Sequence, residues 1–160
     1  MFNRFLIFCL TTLLMVSSWT GCTRRTAVHH YEKVAVDGWT PGDTLKFRID
    51  SLTRSGNYEP VIGIRTSPAV LYPYRSLWLA VRQQWHNPEG ERTDTIECVL
   101  TDDNGDMTGK GVSIYQYTFP QKRLYLEAGT SADISISHIM RNDILPGITE
   151  IGLRIKYIDK

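Results

Sequence analysis

Residues 77–100 read LWLAVRQQWHNPEGERTDTIECVL, and this stretch decides the fold class. Its first part, 77–85, alternates apolar and polar residues with a period of two, which is typical of a half-buried strand. Residues 93–100 repeat the alternation, and the Asn-Pro-Glu-Gly turn at 87–90 separates the two runs. The stretch therefore predicts a long antiparallel hairpin.

The same alternation recurs on both sides of this hairpin. No segment carries a stripe of 3.6-residue period longer than a turn or two, and only residues 139–144 are compatible with a short helix. We therefore predict an all-β fold, a β-sandwich of seven to eight antiparallel strands, with a jelly roll as one candidate topology. The remaining strand candidates are 45–49, 61–64, 113–119, 123–126, 134–138 and 151–157.

The N-terminal segment predicts export and lipidation. Arg4 is its only charge, and an apolar run follows from 5 to 16. This order is that of a secretory signal, and the run is shorter than the roughly 20 residues of a membrane span. Thr20-Gly21-Cys22 resembles the lipobox of bacterial lipoproteins, in which the cysteine is acylated and becomes the new N-terminus, although Trp19 stands where a leucine-like residue is usual. A plain secretory signal with an incidental cysteine is the alternative.

This interpretation divides the chain into three parts. We expect a lipoprotein signal peptide at 1–21, a lipidated tether at 22–37 and a single β-sandwich domain at 38–160. Polar, irregular sequence from 23 to 37 favours the tether. Acyl chains on Cys22 would hold the domain at a membrane without a spanning segment.

The charge balance and the cysteine count argue against several classes of function. Eighteen Lys and Arg face seventeen Asp and Glu, and this balance argues against a partner made of nucleic acid. Of the three cysteines, Cys9 lies in the apolar run and Cys22 at the predicted processing site, so Cys98 is alone in the domain and a disulfide scaffold is excluded. Cys98 shares a strand face with Ile96 and Leu100, and we expect a buried thiol rather than a nucleophile.

No arrangement of reactive side chains predicts catalysis. Asp102, Asn104 and Asp106 match the first ligand positions of a calcium loop, but Met107 and Ser113 stand where that loop needs glycine and glutamate. An Asn-Gly turn between strands explains the segment better. The four histidines lack the spacing of metal ligands. We therefore expect no enzyme, no metal, no cofactor and no small-molecule ligand.

An aromatic cluster supplies candidate binding residues. Tyr72, Tyr74, Trp78 and Trp85 lie within fourteen residues, and such a set can form a stacking platform for sugar rings or a protein hot spot. Trp85 follows the phase of the apolar face, whereas Trp78 lies on the opposite face and is the better surface candidate. Core packing is the alternative, because aromatic residues pack well in strands.

Several stretches taken together resemble the GldH-type gliding-motility lipoproteins of Bacteroidetes. Their order and spacing carry the resemblance from about residue 31 to about residue 157, and no single stretch is a catalytic signature. One of them adds His138 and Arg141 to Tyr72, Tyr74 and Trp78 as candidate binding residues. The stretches are Cys22, 72–74 leading into 77–79, 94–97, 109–111, 136–141 and 145–154.

The resemblance implies a non-catalytic lipoprotein, held in a membrane by acylated Cys22, that contacts protein partners in a gliding-type machine of the cell envelope. Residues 23–25 lack the acidic residues that resemble a surface-export signal in this phylum. We therefore expect an outer-membrane anchor that faces the periplasm. A glycan-binding β-sandwich on the same anchor is the alternative, and a row of exposed aromatic rings would favour it.

Overall fold

Two antiparallel β-sheets face each other in this protein, of which a computed structural model describes residues 26–158. The described residues contain no α-helix, so the predicted all-β sandwich is confirmed. The predicted signal peptide and Cys22 lie outside the described residues. The strands are β1 (Thr26–Lys33), β2 (Leu45–Ile49), β3 (Gly56–Thr66), β4 (Ser76–His86), β5 (Gly90–Val99), β6 (Tyr115–Pro120), β7 (Leu124–Leu126), β8 (Ser131–His138) and β9 (Ile148–Ile158).

Strand pairing follows the alternation that the sequence shows. One sheet has the order β1-β9-β3-β6, with β7 also paired to β3, and the other has the order β2-β8-β4-β5. The predicted hairpin forms, since β4 and β5 pair from Ser76 with Val99 to Trp85 with Gly90. Eight strands overlap the predicted runs, and β1 is the addition.

Strand β1 corrects the prediction of irregular chain from 23 to 37. Residues 26–33 pair with β9 and form one edge of the five-stranded sheet. All eight side chains of β1 are exposed or half-buried, because an edge strand has a neighbouring strand on one side only. Its sequence therefore lacks the apolar alternation that identifies the other strands, and the sandwich begins earlier than residue 38.

A contact between a tyrosine of β1 and two glycines of the neighbouring strands holds β1 against its sheet. The Tyr31 ring lies over Gly63 of β3 and Gly152 of β9, which are partners in the ladder. A Cβ atom at either glycine would overlap the ring. The Arg65 guanidinium stacks 3.8 Å from the centroid of that ring, and its Nη1 lies 2.5 Å from Oε2 of Glu150. The two glycines thus form a notch that receives Tyr31.

The short helix considered at 139–144 is wrong. The amide of Ile139 donates a hydrogen bond to the carbonyl of Trp78 at 3.0 Å. Leu145 and Trp39 exchange backbone hydrogen bonds of 2.9 and 3.0 Å. Backbone groups that bond across the chain in this way are not available for a helical ladder.

The core lies between the sheets and includes Cys98. Burial raises the pKa of the Cys98 thiol to about 12, and the nearby charge of Glu97 acts in the same direction. The predicted buried thiol is confirmed. Trp39 is also fully buried, and its Nε1 donates to the carbonyl oxygen of Asp43 at 2.8 Å.

The pairing registers give the sandwich two distinct ends. The proximal end contains Thr26, the loops at 50–55 and 127–130, the turn at 87–90 and Ile158. The distal end is the opposite end of the sandwich. Each strand runs from one of these ends towards the other. Four segments form the distal end: 34–44, 67–75, 100–114 and 139–147.

Candidate interaction surface at the distal end

Exposed apolar side chains concentrate at the distal end. Among residues 26–158, seven of the ten large hydrophobic side chains that are exposed lie in the four distal segments. Trp78 and Val99 lie close by, near the distal ends of β4 and β5, and Tyr125 of β7 is the exception. Single exposed apolar residues are ordinary on a soluble protein, but a group of them marks an interaction site. The nine residues, which we call the distal surface, are Val36, Val70, Leu71, Trp78, Val99, Val112, Ile114, Ile139 and Ile144.

Part of the distal surface borders a groove. Val36 and Val70 line this groove, which has a volume of about 430 Å³ and runs between residues 33–38 and 146–150. Gly38 packs against the side chain of Ile144, and Gly147 packs against the backbone next to Val70. Three distal loops therefore approach one another closely enough to hold the groove in shape.

Carboxylates outnumber cations around the distal surface. Arg75 pairs with Asp103, with Nη1 2.7 Å from Oδ1, whereas Arg141 forms no ion pair with any described residue. The rim of this apolar surface is therefore acidic on balance. The distal segments contain six aspartates, at 37, 43, 102, 103, 106 and 143, and three cations, at 75, 110 and 141.

The acidic turn at 102–106 is held by its own backbone. Oδ1 of Asp102 accepts hydrogen bonds from the amides of Asn104 and Asp106, at 2.8 and 2.9 Å. An aspartate that bonds two residues ahead is a common way to build such a turn. Within the described part of the chain, no group of three or more His, Cys, Asp or Glu side chains could hold a metal ion.

The five predicted binding residues do not form one exposed patch. Trp78 is 40% exposed on the outer side of β4, and Arg141 is exposed in the loop after β8. Tyr74 is half-buried. Tyr72 and His138, at 3% and 2% exposure, are buried, so neither side chain reaches the surface.

Tyr72 organises the loop that carries part of the distal surface. Its hydroxyl donates to the carbonyl oxygen of Ser76 at 3.0 Å, and its ring meets that of Tyr74 with centroids 5.4 Å apart. Burial raises the pKa of Tyr72, with smaller contributions from Tyr74 and Cys98. The buried Tyr72 thus anchors the loop in which Val70 and Leu71 are exposed.

The aromatic residues do not line up as a sugar-binding platform. Trp85 is half-buried on the inner phase of β4, as its position in the sequence predicts. Among residues 26–158, Trp78 and Tyr125 are the exposed large aromatic side chains, and they lie towards opposite ends of the sandwich. A row of stacked sugar rings would need several such residues together.

Sequence reasoning missed most of the distal surface. Val36, Val70, Leu71 and Ile144 stand in segments that the sequence marks as loops, close to Gly, Pro or Asp. Loops lie on the surface, so apolar residues within them are exposed unless another segment covers them. An apolar residue in a predicted loop is therefore the sequence signal that identifies these four positions.

Comparison with known proteins identifies a family. A sequence profile described as GldH lipoprotein matches residues 26–155. A comparison with curated proteins finds no match. No helix in the described part of the chain is long and apolar enough to cross a membrane.

Two solved structures show weak similarity to this chain. One is described as Eiger TNF from S. frugiperda, with 12% identity, a TM-score of 0.33 and coverage of 86% of this chain and 96% of that chain. The other is described as dimeric latent PorU from Porphyromonas gingivalis, with 9% identity, a TM-score of 0.31 and coverage of 86% and 14%. At these TM-scores neither similarity carries an argument.

Proposed function

This chain belongs to the GldH lipoprotein family, whose members are gliding-motility-associated lipoproteins of the cell envelope, and on that basis we propose that it is a non-catalytic adaptor. In this proposal acylated Cys22 holds the domain at a membrane, and the distal surface binds protein partners of a gliding-type envelope machine. The observation that carries the proposal is the concentration of exposed apolar side chains at the distal end.

In this proposal, the position of β1 would set the orientation of the domain on its anchor. Strand β1 begins at Thr26, four residues after Cys22, and a fully extended chain of that length reaches about 14 Å. An acylated Cys22 would therefore keep the proximal end close to the bilayer. The 11-residue strands β3 and β9 would place the distal surface about 35 Å further out, at roughly 3.3 Å per residue.

The chemistry of the distal surface indicates the kind of partner. Buried apolar contact would supply most of the binding free energy, and the surrounding aspartates would attract a positively charged rim. We therefore expect an envelope protein with an apolar patch bordered by lysine or arginine. Association with such a partner should weaken as the ionic strength rises.

Site-specific photo-crosslinking in cells tests this proposal. A photoreactive residue placed at Leu71 or Ile144 should give discrete adducts with envelope proteins. The same residue at Tyr125 is the matched control, because Tyr125 is equally exposed but lies at the proximal end. Adducts from Tyr125 alone, or from none of the three positions, would contradict the proposal.

The anchor is tested in the same cells. A Cys22→Ala variant should lose both membrane association and the distal adducts, since the domain would no longer be held beside its partner. For the site of anchoring we propose the outer membrane with the domain facing the periplasm. Protease added to intact cells should leave the protein whole, and ready digestion would place the domain on the cell surface instead.

A further inference from the structure

A pocket between the two sheets has no part in the proposed function. It lies in the proximal half of the sandwich and has a volume of about 200 Å³. Its floor is aliphatic and offers no polar side-chain atom to a bound molecule. The floor residues come from both sheets and are Ile49, Ile62, Val81, Ile134, Leu153 and Ile155.

The pocket opens between β5 and residues 121–124. The inner face of β5 changes there from Cys98 and Ile96, which are apolar, to Asp94 and Arg92. Charged residues in an inward phase mark the place where water reaches the space between the sheets. The mouth of the pocket is therefore polar, although its floor is not.

Polar groups on the β4–β5 side of the mouth bond to one another. Nε2 of Gln83 donates to Oδ2 of Asp94 at 2.6 Å, and Nε of Arg92 donates to Oδ1 of Asp94 at 2.8 Å. Nε1 of Trp85 donates to Oε1 of Gln83 at 3.2 Å. The charge of Arg92 is thus compensated by Asp94 within this network.

Lys122 lies on the other side of the mouth and is exposed. It forms no ion pair with any residue between 26 and 158. The mouth therefore presents one uncompensated positive charge above an aliphatic floor. This combination suits a molecule with a hydrocarbon body and a negatively charged end.

We propose that the pocket binds one unbranched hydrocarbon chain with a carboxylate or other anionic end at Lys122. An apolar cavity of about 150 Å³ accommodates benzene, so this pocket accommodates about eight carbon atoms. The proposal departs from the sequence-based expectation of no small-molecule ligand and does not depend on the distal surface.

Calorimetric titration with linear carboxylates of increasing length tests the pocket. The mature chain, residues 22–160 with Cys22→Ser, is titrated with hexanoate, octanoate, decanoate and dodecanoate below their micelle concentrations. Affinity should rise about fourfold for each added methylene and stop rising once the pocket is full. No binding, or a rise without a plateau, would overturn the proposal, because general partitioning into apolar surface has no length limit.

Two variants locate the site. Ile96→Trp fills the pocket and should weaken octanoate binding at least tenfold, whereas Val99→Trp, on the outer side of the same strand, should not. Lys122→Gln, an exposed change that leaves the core intact, should weaken octanoate binding several-fold and leave octanol binding unchanged. Equal effects of the two tryptophan variants, or equal effects of Lys122→Gln on acid and alcohol, would overturn the assignment.

The source of the hydrocarbon chain is tested with the acylated protein in lipid nanodiscs. Octanoate binding by both the acylated and the unacylated forms supports a free fatty acid as the ligand. Binding by the unacylated form alone supports a lipid chain from the anchor or the bilayer, which would already occupy the pocket. If neither form binds octanoate, the pocket proposal is overturned. The crosslinking test of the distal surface is independent of this result.

Discussion

The indole of Trp39 packs edge-on against the imidazole of His138, with ring centroids 5.2 Å apart and 71° between the planes. Both side chains are buried, and neither ring nitrogen of His138 has a well-formed hydrogen bond to a described residue. Burial therefore lowers the pKa of His138. The backbone groups of Trp39 and Thr40 and the charge of Asp43 act in the opposite direction.

We expect acidification to destabilise the fold through His138. Its folded-state pKa lies below the unfolded value of about 6.5, so the unfolded chain binds the proton first as the pH falls. The free energy of unfolding should fall below about pH 6.5, by at most about 1.4 kcal/mol per pH unit, until the pH reaches the folded-state pKa. Urea unfolding of the natural protein and His138→Phe at several pH values measures this, and equal pH dependence of the two would contradict it.

Gly63→Ala should destabilise the protein by about 1–3 kcal/mol, because the new methyl group displaces the Tyr31 ring from its notch. Gly90→Ala is the matched control, since nothing lies within 4 Å of a Cβ at that position. Thermal unfolding measures both changes. A double-mutant cycle with Tyr31→Ala should recover part of the loss, and additive effects would show that the notch does not hold β1.

Cys98 should resist thiol reagents while the protein is folded. Its pKa of about 12 leaves almost no thiolate at pH 8, and the nucleophile in these reactions is the thiolate. In denaturant the thiol should react at the rate of an ordinary free cysteine. Absorbance-based labelling of residues 22–160 with Cys22→Ser measures both rates, and fast labelling under native conditions would mean that β5 opens readily.

Trp78→Ala should abolish capture of a protein partner and change the free energy of unfolding by less than about 1 kcal/mol, because the ring is partly exposed on the outer face of β4. Tyr125→Ala serves as the control at the proximal end. Pull-down from cells measures capture, and glycan arrays test the alternative. Loss of glycan binding with capture intact would favour a glycan-binding module.

Strands with one buried face could be predicted from the sequence, and features without such a face could not. Alternation located eight strands because each places an apolar face on the core. Strand β1 has no such face, and a ring seated on two glycines leaves no periodic signal. Residue type did not reveal that Tyr72 and His138 are buried, since both can serve equally as core or as surface residues.

The residues at the mouth of the inter-sheet pocket carry a signal in the sequence, but periodicity alone does not show that a pocket is there. Asp94 and Arg92 continue the inward phase of Ile96 and Cys98, so alternation places them in the core. In the structure, β6 ends opposite Val61 of β3 and β7 begins opposite Tyr58, and the pocket lies beside this offset. Polar residues at inward-facing positions of a strand thus indicate an opening between the sheets once the neighbouring strands are known.

The position of β1 also determines how the domain would respond to mechanical force. If a membrane holds Cys22 and a partner pulls on the distal end, tension runs along the axis of β1. The hydrogen bonds between β1 and β9 lie across that axis, so the tension shears all of them together instead of opening them one after another. Tyr31 in its notch would further oppose sliding of the strand. In such an arrangement the edge strand β1 would transmit tension between the anchor and the distal end.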